Sequence, residues 1–372
     1  MVYFSQDYGP HDHRFLQALS AAGQEVHFLR MEDSGQPRES RPIPESVKLV
    51  QAWQGRGPVE WWDFPVAARR LRRALQELRP DLVHAGPVQS PALLSALAGF
   101  HPLLSMSWAS DLLWHARSGP GRWAARYVLA RSDALACDCQ AVRQQAVSLG
   151  IPEQRIVVFP WGVDLGHFSP GPSALRAELG WEQSCVILST RSWERLLGVD
   201  LLLEGFLRAA AARPQLRLLM LGSGSMEADL RRRVRQSGMS ERVHFAGPVG
   251  FGRLPDYYRS ADLYVSASHS DGSSISLLEA MACGLPALVS DIAGNTEWVA
   301  LQENGWWFPD GDAEALAQAL LDFSDREEGW RRYGARSREI AEKSVECAGR
   351  LQRRFERQPA RAVFHSDDHS AT

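Results

Sequence analysis

The sequence predicts an α/β protein built from two tandem Rossmann-like doubly wound domains facing a cleft. Three observations carry that expectation. Short apolar runs alternate with longer amphipathic ones along the chain, the pattern of parallel βα units. The rhythm stops at Leu165–Ser173, a stretch carrying Gly166, Pro170, Gly171 and Pro172, and then restarts. With 372 residues, the chain has room for two domains of ordinary size, each with its own core.

In the first half, a strand at Val2–Ser5 leads to a helix from Asp12 to Ala22 and a strand at Glu25–Leu29. A helix at Val66–Leu78, a strand at Leu82–His84, a helix at Pro91–Leu97 and a strand at Leu103–Ser107 follow. The half closes with a helix at Arg122–Ala130, a strand at Ala134–Cys137, a helix at Ala141–Leu149 and a strand at Ile156–Phe159. The second half places strands at Val186–Thr190, Arg217–Leu221, Val243–Ala246, Leu263–Ser266, Ala287–Val289 and Trp306–Phe308. Its helices fall at Asp200–Ala212, Met226–Ser237, Leu254–Arg259, Ser276–Ala282, Ala313–Ser324 and Trp330–Glu342. The expected domains are 1–165 and 174–345, with 346–372 a terminal helix and tail that crosses back to the first domain and frays from Arg361 on. Doubly wound domains bind ligands beyond the carboxyl ends of their strands.

Composition narrows the function. A hydrophobic content of 45% and a charged content of 23% are those of a soluble globular protein. The net charge of −3 gives no reason to expect nucleic acid as a partner. Lysine is confined to Lys48 and Lys343, so phosphate recognition falls to arginine forks or backbone amides. Cys137, Cys139, Cys185, Cys283 and Cys347 read as reduced thiols in a cytoplasmic protein, most of them packed as small hydrophobes. Neither a signal peptide nor a run of apolar residues long enough to span a bilayer is recognisable.

The stretch Asp271-Gly-Ser-Ser-Ile-Ser-Leu-Leu-Glu279 sets two carboxylates across a Gly/Ser-rich turn that opens a helix, stopped by Gly284 and Pro286. Free amides and the positive end of the helix dipole there suit a phosphate, and the flanking acids suit the hydroxyls beside it, as in a nucleotide-sugar. The competing explanation is a capping box, with Glu279 reaching back to the amide at the helix start. Arg191 and Arg195 follow the first strand of the second half, where guanidinium groups can grip a diphosphate. Gly222-Ser-Gly224 also follows a strand, but two such glycines are more often a tight turn than a ligand loop.

Other features stay open on the residues alone. The first βα turn, with Gly9, lacks the spacing of a dinucleotide fingerprint. His11 and His13 suggest a solvated loop more than a metal site. Arg117, Arg122, Arg126 and Arg131, interleaved with Trp114, Trp123 and Tyr127, form a basic aromatic stretch. A solvated helix face is the first reading of it, and peripheral contact with anionic lipid or contact with a polyanionic acceptor is the other.

Taken together, these segments resemble glycosyltransferase family 4 (glycosyltransferase group 1) on the GT-B fold. Pro80-Asp-Leu-Val-His84 looks like the strand-four signature of an acceptor domain. Phe159-Pro-Trp-Gly162-Val-Asp164-Leu-Gly-His-Phe168 is similar to the hinge segment, usually "PNGVD…F". Gly198-Val-Asp200 and Leu221-Gly222-Ser-Gly224 resemble the opening of a donor domain, and Tyr257-Tyr-Arg-Ser-Ala261-Asp262 resembles "YxxAD". Asp271 to Gly284, with Ser290 to Glu297 beyond, looks like the E-x7-E loop and its following turn.

The resemblance implies a retaining, metal-independent hexosyltransferase with no cofactor. Its donor would be a nucleotide-diphosphate sugar, UDP-linked first and GDP-mannose next. Its acceptor would be a saccharide, a lipid-linked molecule or a small molecule. Glu279 aligns with the glutamate that holds the ribose, and Asp271 with the first acid, near the donor sugar. Ser274, Ile275 and Ser276 align with the diphosphate turn, with Gly222 and Gly224 also on the donor side, and Arg191 aligns with the phosphate arginine. Gly9, His84 and Trp108 mark the acceptor side.

Three positions depart from the pattern. Leu197 replaces the lysine before Gly198, leaving Arg195 as the nearby cation. Trp108 replaces the histidine after strand five, leaving Asp111 as the nearest charged candidate. Trp161 replaces the hinge asparagine. These departures keep two rivals in play: a catalytically silent nucleotide-binding GT-B protein and a sugar-nucleotide epimerase.

Overall fold

The computed structural model describes residues 1–32, 39–50, 59–325 and 329–357, with side chains described through Ser344. The chain forms two compact units, Met1–Trp161 with the end of the last helix from Cys347, and Gly162–Glu346.

The first unit is a parallel sheet of seven strands: β1 (Val2–Ser5), β2 (His27–Arg30), β3 (Lys48–Leu49), β4 (Val83–Gly86), β5 (Leu103–Met106), β6 (Ala134–Cys137) and β7 (Ile156–Val158). Their order is β3-β2-β1-β4-β5-β6-β7. Alternation along each strand feeds two cores. Val2 and Phe4 of β1 point to the face covered by the helices Phe64–Leu78, Leu93–Ala98, Gly119–Leu129 and Gln140–Leu149. Tyr3 points to the other face, under Leu16 of the helix Pro10–Ala21.

The second unit repeats the plan with β8 (Cys185–Ser189), β9 (Leu216–Leu221), β10 (Val243–Gly247), β11 (Leu263–Ser266), β12 (Ala287–Ser290) and β13 (Gly305–Phe308), ordered β10-β9-β8-β11-β12-β13. Ile187, Leu218 and Val265 pack under the helices Val199–Ala212, Glu227–Ser237 and Ala313–Ser324. Val186, Leu188 and Tyr264 pack on the opposite face under the helices Leu254–Arg259 and Ile275–Ala282. Strand order reverses between β1 and β4 in one unit and between β8 and β11 in the other, which opens a crevice at each reversal.

Several expectations are revised. The two-residue strand β3 carries too little pattern to be read from sequence. Short helices at Ser110–Leu113, Leu175–Leu179 and Ala293–Thr296 went unforeseen for the same reason. The expected linker Leu165–Ser173 is packed against the second unit. Phe168 is fully buried there, and Arg259 Nε donates to the Ser169 carbonyl at 2.8 Å. The last helix runs Trp330–Arg357, well past the expected end at Glu342. The expected fraying beyond Arg361 lies outside the described residues, as does the Cys347 side chain. The other four cysteines are buried.

Candidate functional site

In the second unit, the loops after β8 and β11 meet where the strand order reverses. Arg191 leaves the end of β8 and directs its guanidinium across to the loop after β11. Its Nη1 donates to Ser274 Oγ at 2.7 Å and to Ser276 Oγ at 3.0 Å, and Nη2 forms an ion pair with Asp271 Oδ2 at 2.7 Å. Burial works against the charge on Arg191, but the carboxylate of Asp271 outweighs it and lifts the guanidinium above its ordinary value. Arg191 Nε is buried and has no hydrogen-bond partner among the described residues.

Ser274 is the N-cap of the helix Ile275–Ala282, its Oγ accepting from the Leu277 amide at 3.4 Å. The helix therefore starts one residue before Ser276, and Glu279 falls at its fifth position instead of the third. The capping-box explanation of Glu279 fails on that register. Glu279, 6% exposed, instead accepts a 3.0 Å hydrogen bond from the hydroxyl of Tyr258. Burial first, then the charge of Glu279, holds the Tyr258 phenol well above its usual value, so it stays a donor. Thr190 Oγ1 lies 3.1 Å from the same hydroxyl, and the Tyr264 hydroxyl lies 2.8 Å from Ser276 Oγ. The two tyrosines and Thr190 were missed as site residues, although Tyr258 stands inside the YxxAD-like stretch.

Close backbone packing holds this cluster in place. A Cβ on Gly294 would lie 2.3 Å from the Asp271 carbonyl, so only glycine lets the helix Ala293–Thr296 seat against that loop. Trp298 Nε1 donates to Ser273 Oγ at 3.1 Å, and Ser290 Oγ to the Ser268 carbonyl at 2.6 Å. Gly222 and Gly224 serve the same end. Added Cβ atoms would meet the Arg191 and Trp193 carbonyls at 2.9 and 2.4 Å. Glu194 ties the loop down by accepting from the Ser225 amide at 2.8 Å. Arg195 stands apart from the cluster: its side chain is 79% exposed and lies 3.7 Å from Asp200.

The first unit gathers a different set. Gly9 is the N-cap of the helix Pro10–Ala21, and its amide donates to Asp12 Oδ2 at 2.8 Å. Pro10 at the first helical position starts the helix earlier than expected, which places His11 and His13 in its first turn and not in a solvated loop. His13 is buried with Nδ1 2.7 Å from the Tyr8 hydroxyl, and the His11 ring stacks on Trp108 at 5.6 Å. Trp161 also meets His11, edge-on at 6.4 Å. The two tryptophans at pattern-breaking positions therefore share one partner.

His84 on β4 is enclosed edge-to-face by Tyr3 at 5.2 Å and Phe15 at 5.4 Å, and burial holds its imidazole down to about 4. Asp12 accepts from the Tyr3 hydroxyl at 3.0 Å, and burial pushes its carboxyl up to about 6. Asp111, the candidate for substrate positioning, is buried with both oxygens engaged. Oδ1 accepts from Ser107 Oγ at 2.6 Å and from the Leu112 amide at 2.9 Å, while Oδ2 accepts from the Val88 amide at 2.8 Å. It joins the loops after β4 and β5 in place of presenting a carboxylate.

Comparison with known proteins agrees with the fold. The family profile described as Glycosyl transferases group 1 matches residues 173–340, and that described as Glycosyltransferase Family 4 matches residues 11–167. The D-inositol 3-phosphate glycosyltransferase of Segniliparus rotundus is 35% identical over 177 residues, 45% of this chain and 39% of the relative. The chain thus spans less than half of that relative's length. A GDP-mannose-dependent monoacylated alpha-(1-6)-phosphatidylinositol monomannoside mannosyltransferase of Corynebacterium glutamicum is 26% identical, over 70% of this chain and 71% of its own. Among solved structures, Anabaena HepE in complex with UDP-glucose superposes with a TM-score of 0.77 at 17% identity, covering 95% of this chain and 98% of that one. The sucrose-phosphate synthase of Thermosynechococcus elongatus gives 0.74 at 21%, covering 95% and 99%.

Proposed function

The chain belongs to the group 1 glycosyltransferases of family 4, and from that premise we propose that it moves a hexose or N-acetylhexosamine from a nucleotide-diphosphate sugar to an acceptor hydroxyl, with retention and without a metal. One observation carries the reading. Arg191, Ser274 and Ser276 converge at the start of the helix Ile275–Ala282, with the buried Glu279 behind them. First-turn amides lack intrahelical partners, and with the guanidinium they form a cradle for a diphosphate. Arg191 Nε, buried and unpaired among the described residues, adds a further donor for such an anion.

Each residue has a stated task in this proposal. Arg191 and the helix start stabilise charge that develops on the leaving diphosphate, the work a metal performs elsewhere. Glu279, oriented by Tyr258, accepts from the ribose hydroxyls. Asp271, at the mouth of the same turn, meets hydroxyls of the donor sugar. The departing phosphate oxygen takes the acceptor's proton, so no nucleophilic side chain is required. A UDP-sugar is the favoured donor. The HepE complexes with UDP and UDP-glucose support that preference, and the GDP-mannose-dependent relative sets the second choice.

The test is thermal stabilisation by UDP, GDP, ADP, dTDP and their common sugars. A ligand at ~100 times its dissociation constant adds about 2.7 kcal/mol to stability. A shift with one nucleotide, followed by release of that nucleotide when acceptor is added, supports the proposal. No shift with any of them at millimolar concentration overturns it, and binding without turnover transfers the chain to the silent-partner class.

A further inference from the structure

The first unit carries an arginine-rich aromatic face. We propose that this face, Trp114 to Arg131 together with the start of the helix Phe64–Leu78, docks on an anionic lipid bilayer. From Leu112 to Ser132 the chain contains Arg117, Arg122, Arg126 and Arg131 and no acidic residue. All four arginines are exposed. The helix Gly119–Leu129 sends Ala124, Ala125, Val128 and Leu129 into the core, so Arg122, Trp123 and Arg126 are left outward.

Large apolar rings are held outward among these charges. Trp123 is 59% exposed and stacks on Tyr127 at 5.3 Å, and Arg131 lies 3.7 Å over the Tyr127 ring. Arg117 lies 4.9 Å over Trp114. Ahead of the helix Phe64–Leu78, Trp61 and Trp62 are 76% and 59% exposed between the exposed acids Glu60 and Asp63, and exposed Arg69 and Arg73 follow on the helix. Both helices pack against Leu93–Ala98 on one face of the sheet, and each runs back from the carboxyl ends of its strands. Their aromatic starts therefore lie at the same end of the same face.

Charge complementarity selects the occupant. Arginine meets lipid phosphate, and an indole ring rests at the boundary between headgroup and acyl chain. Such a ring on a protein of net charge −3 gains little from a nucleic-acid backbone, whereas a bilayer takes up both the ring and the charge. Among the described residues no helix is long and apolar enough to cross a membrane, so the contact is peripheral.

Flotation with phosphatidylcholine vesicles, with and without phosphatidylglycerol, tests the proposal on the full chain. Binding is expected only with phosphatidylglycerol present. It should fade between about 0.1 M and 1 M salt as the screening length contracts from ~10 to ~3 Å. Arg122→Gln with Arg126→Gln should weaken binding about twenty-five-fold, roughly fivefold per arginine. Trp123→Ala should weaken it while leaving the melting temperature and the nucleotide-induced shift unchanged, so the outcome is independent of the transferase reading. Equal binding to neutral vesicles, no binding to either, or binding indifferent to these variants overturns the proposal. Self-association that buries Trp123 without vesicle binding also overturns it and assigns the face to a second copy of the chain.

Discussion

Arg191 Nη2 and Asp271 Oδ2 stand 2.7 Å apart, on side chains only 12% and 19% exposed, joining the loops after two neighbouring strands, β8 and β11. An anionic ligand that takes the guanidinium must compete with this carboxylate. Asp271→Asn should therefore tighten UDP binding by roughly fivefold, the scale of one ion pair of about 1 kcal/mol, while sugar transfer falls. Arg191→Ala should lower turnover by about 10²-fold or more, as for loss of one transition-state donor. Calorimetric UDP affinity beside single-turnover rates separates the two. Weaker UDP binding in Asp271→Asn would remove the competition.

Tyr258→Phe tests the support beneath Glu279. Loss of a hydrogen bond to a charged group costs about 1.5–3 kcal/mol. Nucleotide affinity should fall about tenfold, with a lower melting temperature. An unchanged affinity would separate Glu279 from the nucleotide.

Gly198 has φ +62°, and a Cβ there would fall 1.8 Å from the Ala267 carbonyl. Gly198→Ala forces backbone apart at the point where the loops after β8 and β11 touch. A loss of about 3 kcal/mol or more is expected, in the class of strained special positions. Denaturant unfolding of the variant checks it, and a wild-type midpoint would contradict the packing described.

Asp111→Asn should be a stability variant. The amide that replaces one carboxylate oxygen cannot accept every hydrogen bond now made, at a cost of about 1–3 kcal/mol. Transfer per folded molecule should stay within a few-fold of wild type. A large loss of kcat at unchanged melting temperature would restore a direct role in catalysis.

Asp12 and His84 respond to pH in opposite senses. The folded value of Asp12 lies above its ordinary 3.8, so its contribution is full below that and is lost as pH rises to about 6. The folded value of His84, about 4, lies below its ordinary 6.5, so its contribution is full above 6.5 and is lost as pH falls towards 4. Across that shared window the two slopes oppose, each at most about 1.4 kcal/mol per pH unit. Asp12→Asn should gain on wild type as pH rises from 4 to 6, and His84→Phe should gain as it falls. Melting temperatures that track wild type at every pH would refute both assignments.

The sequence by itself determined the two-domain α/β plan, twelve of whose strand positions are legible as short apolar runs. It also singled out Arg191, Asp271, Ser274 and Ser276, because a turn that opens a helix after a strand leaves a local signature in serine, glycine and charge. Tertiary structure decided which of these groups meet. Tyr258, Tyr264 and Thr190 entered the site only when β8 and β11 were laid side by side, which brings together Thr190 and Tyr258 from 68 positions apart in the chain. The same packing turned Asp111 inward, set Glu279 at the wrong helical position for a cap, and joined Trp108 and Trp161 through His11. Local spacing fixes periodicity and turn chemistry within a few residues. Burial and hydrogen-bond partners depend on non-local contacts, which only the closed sheet supplies.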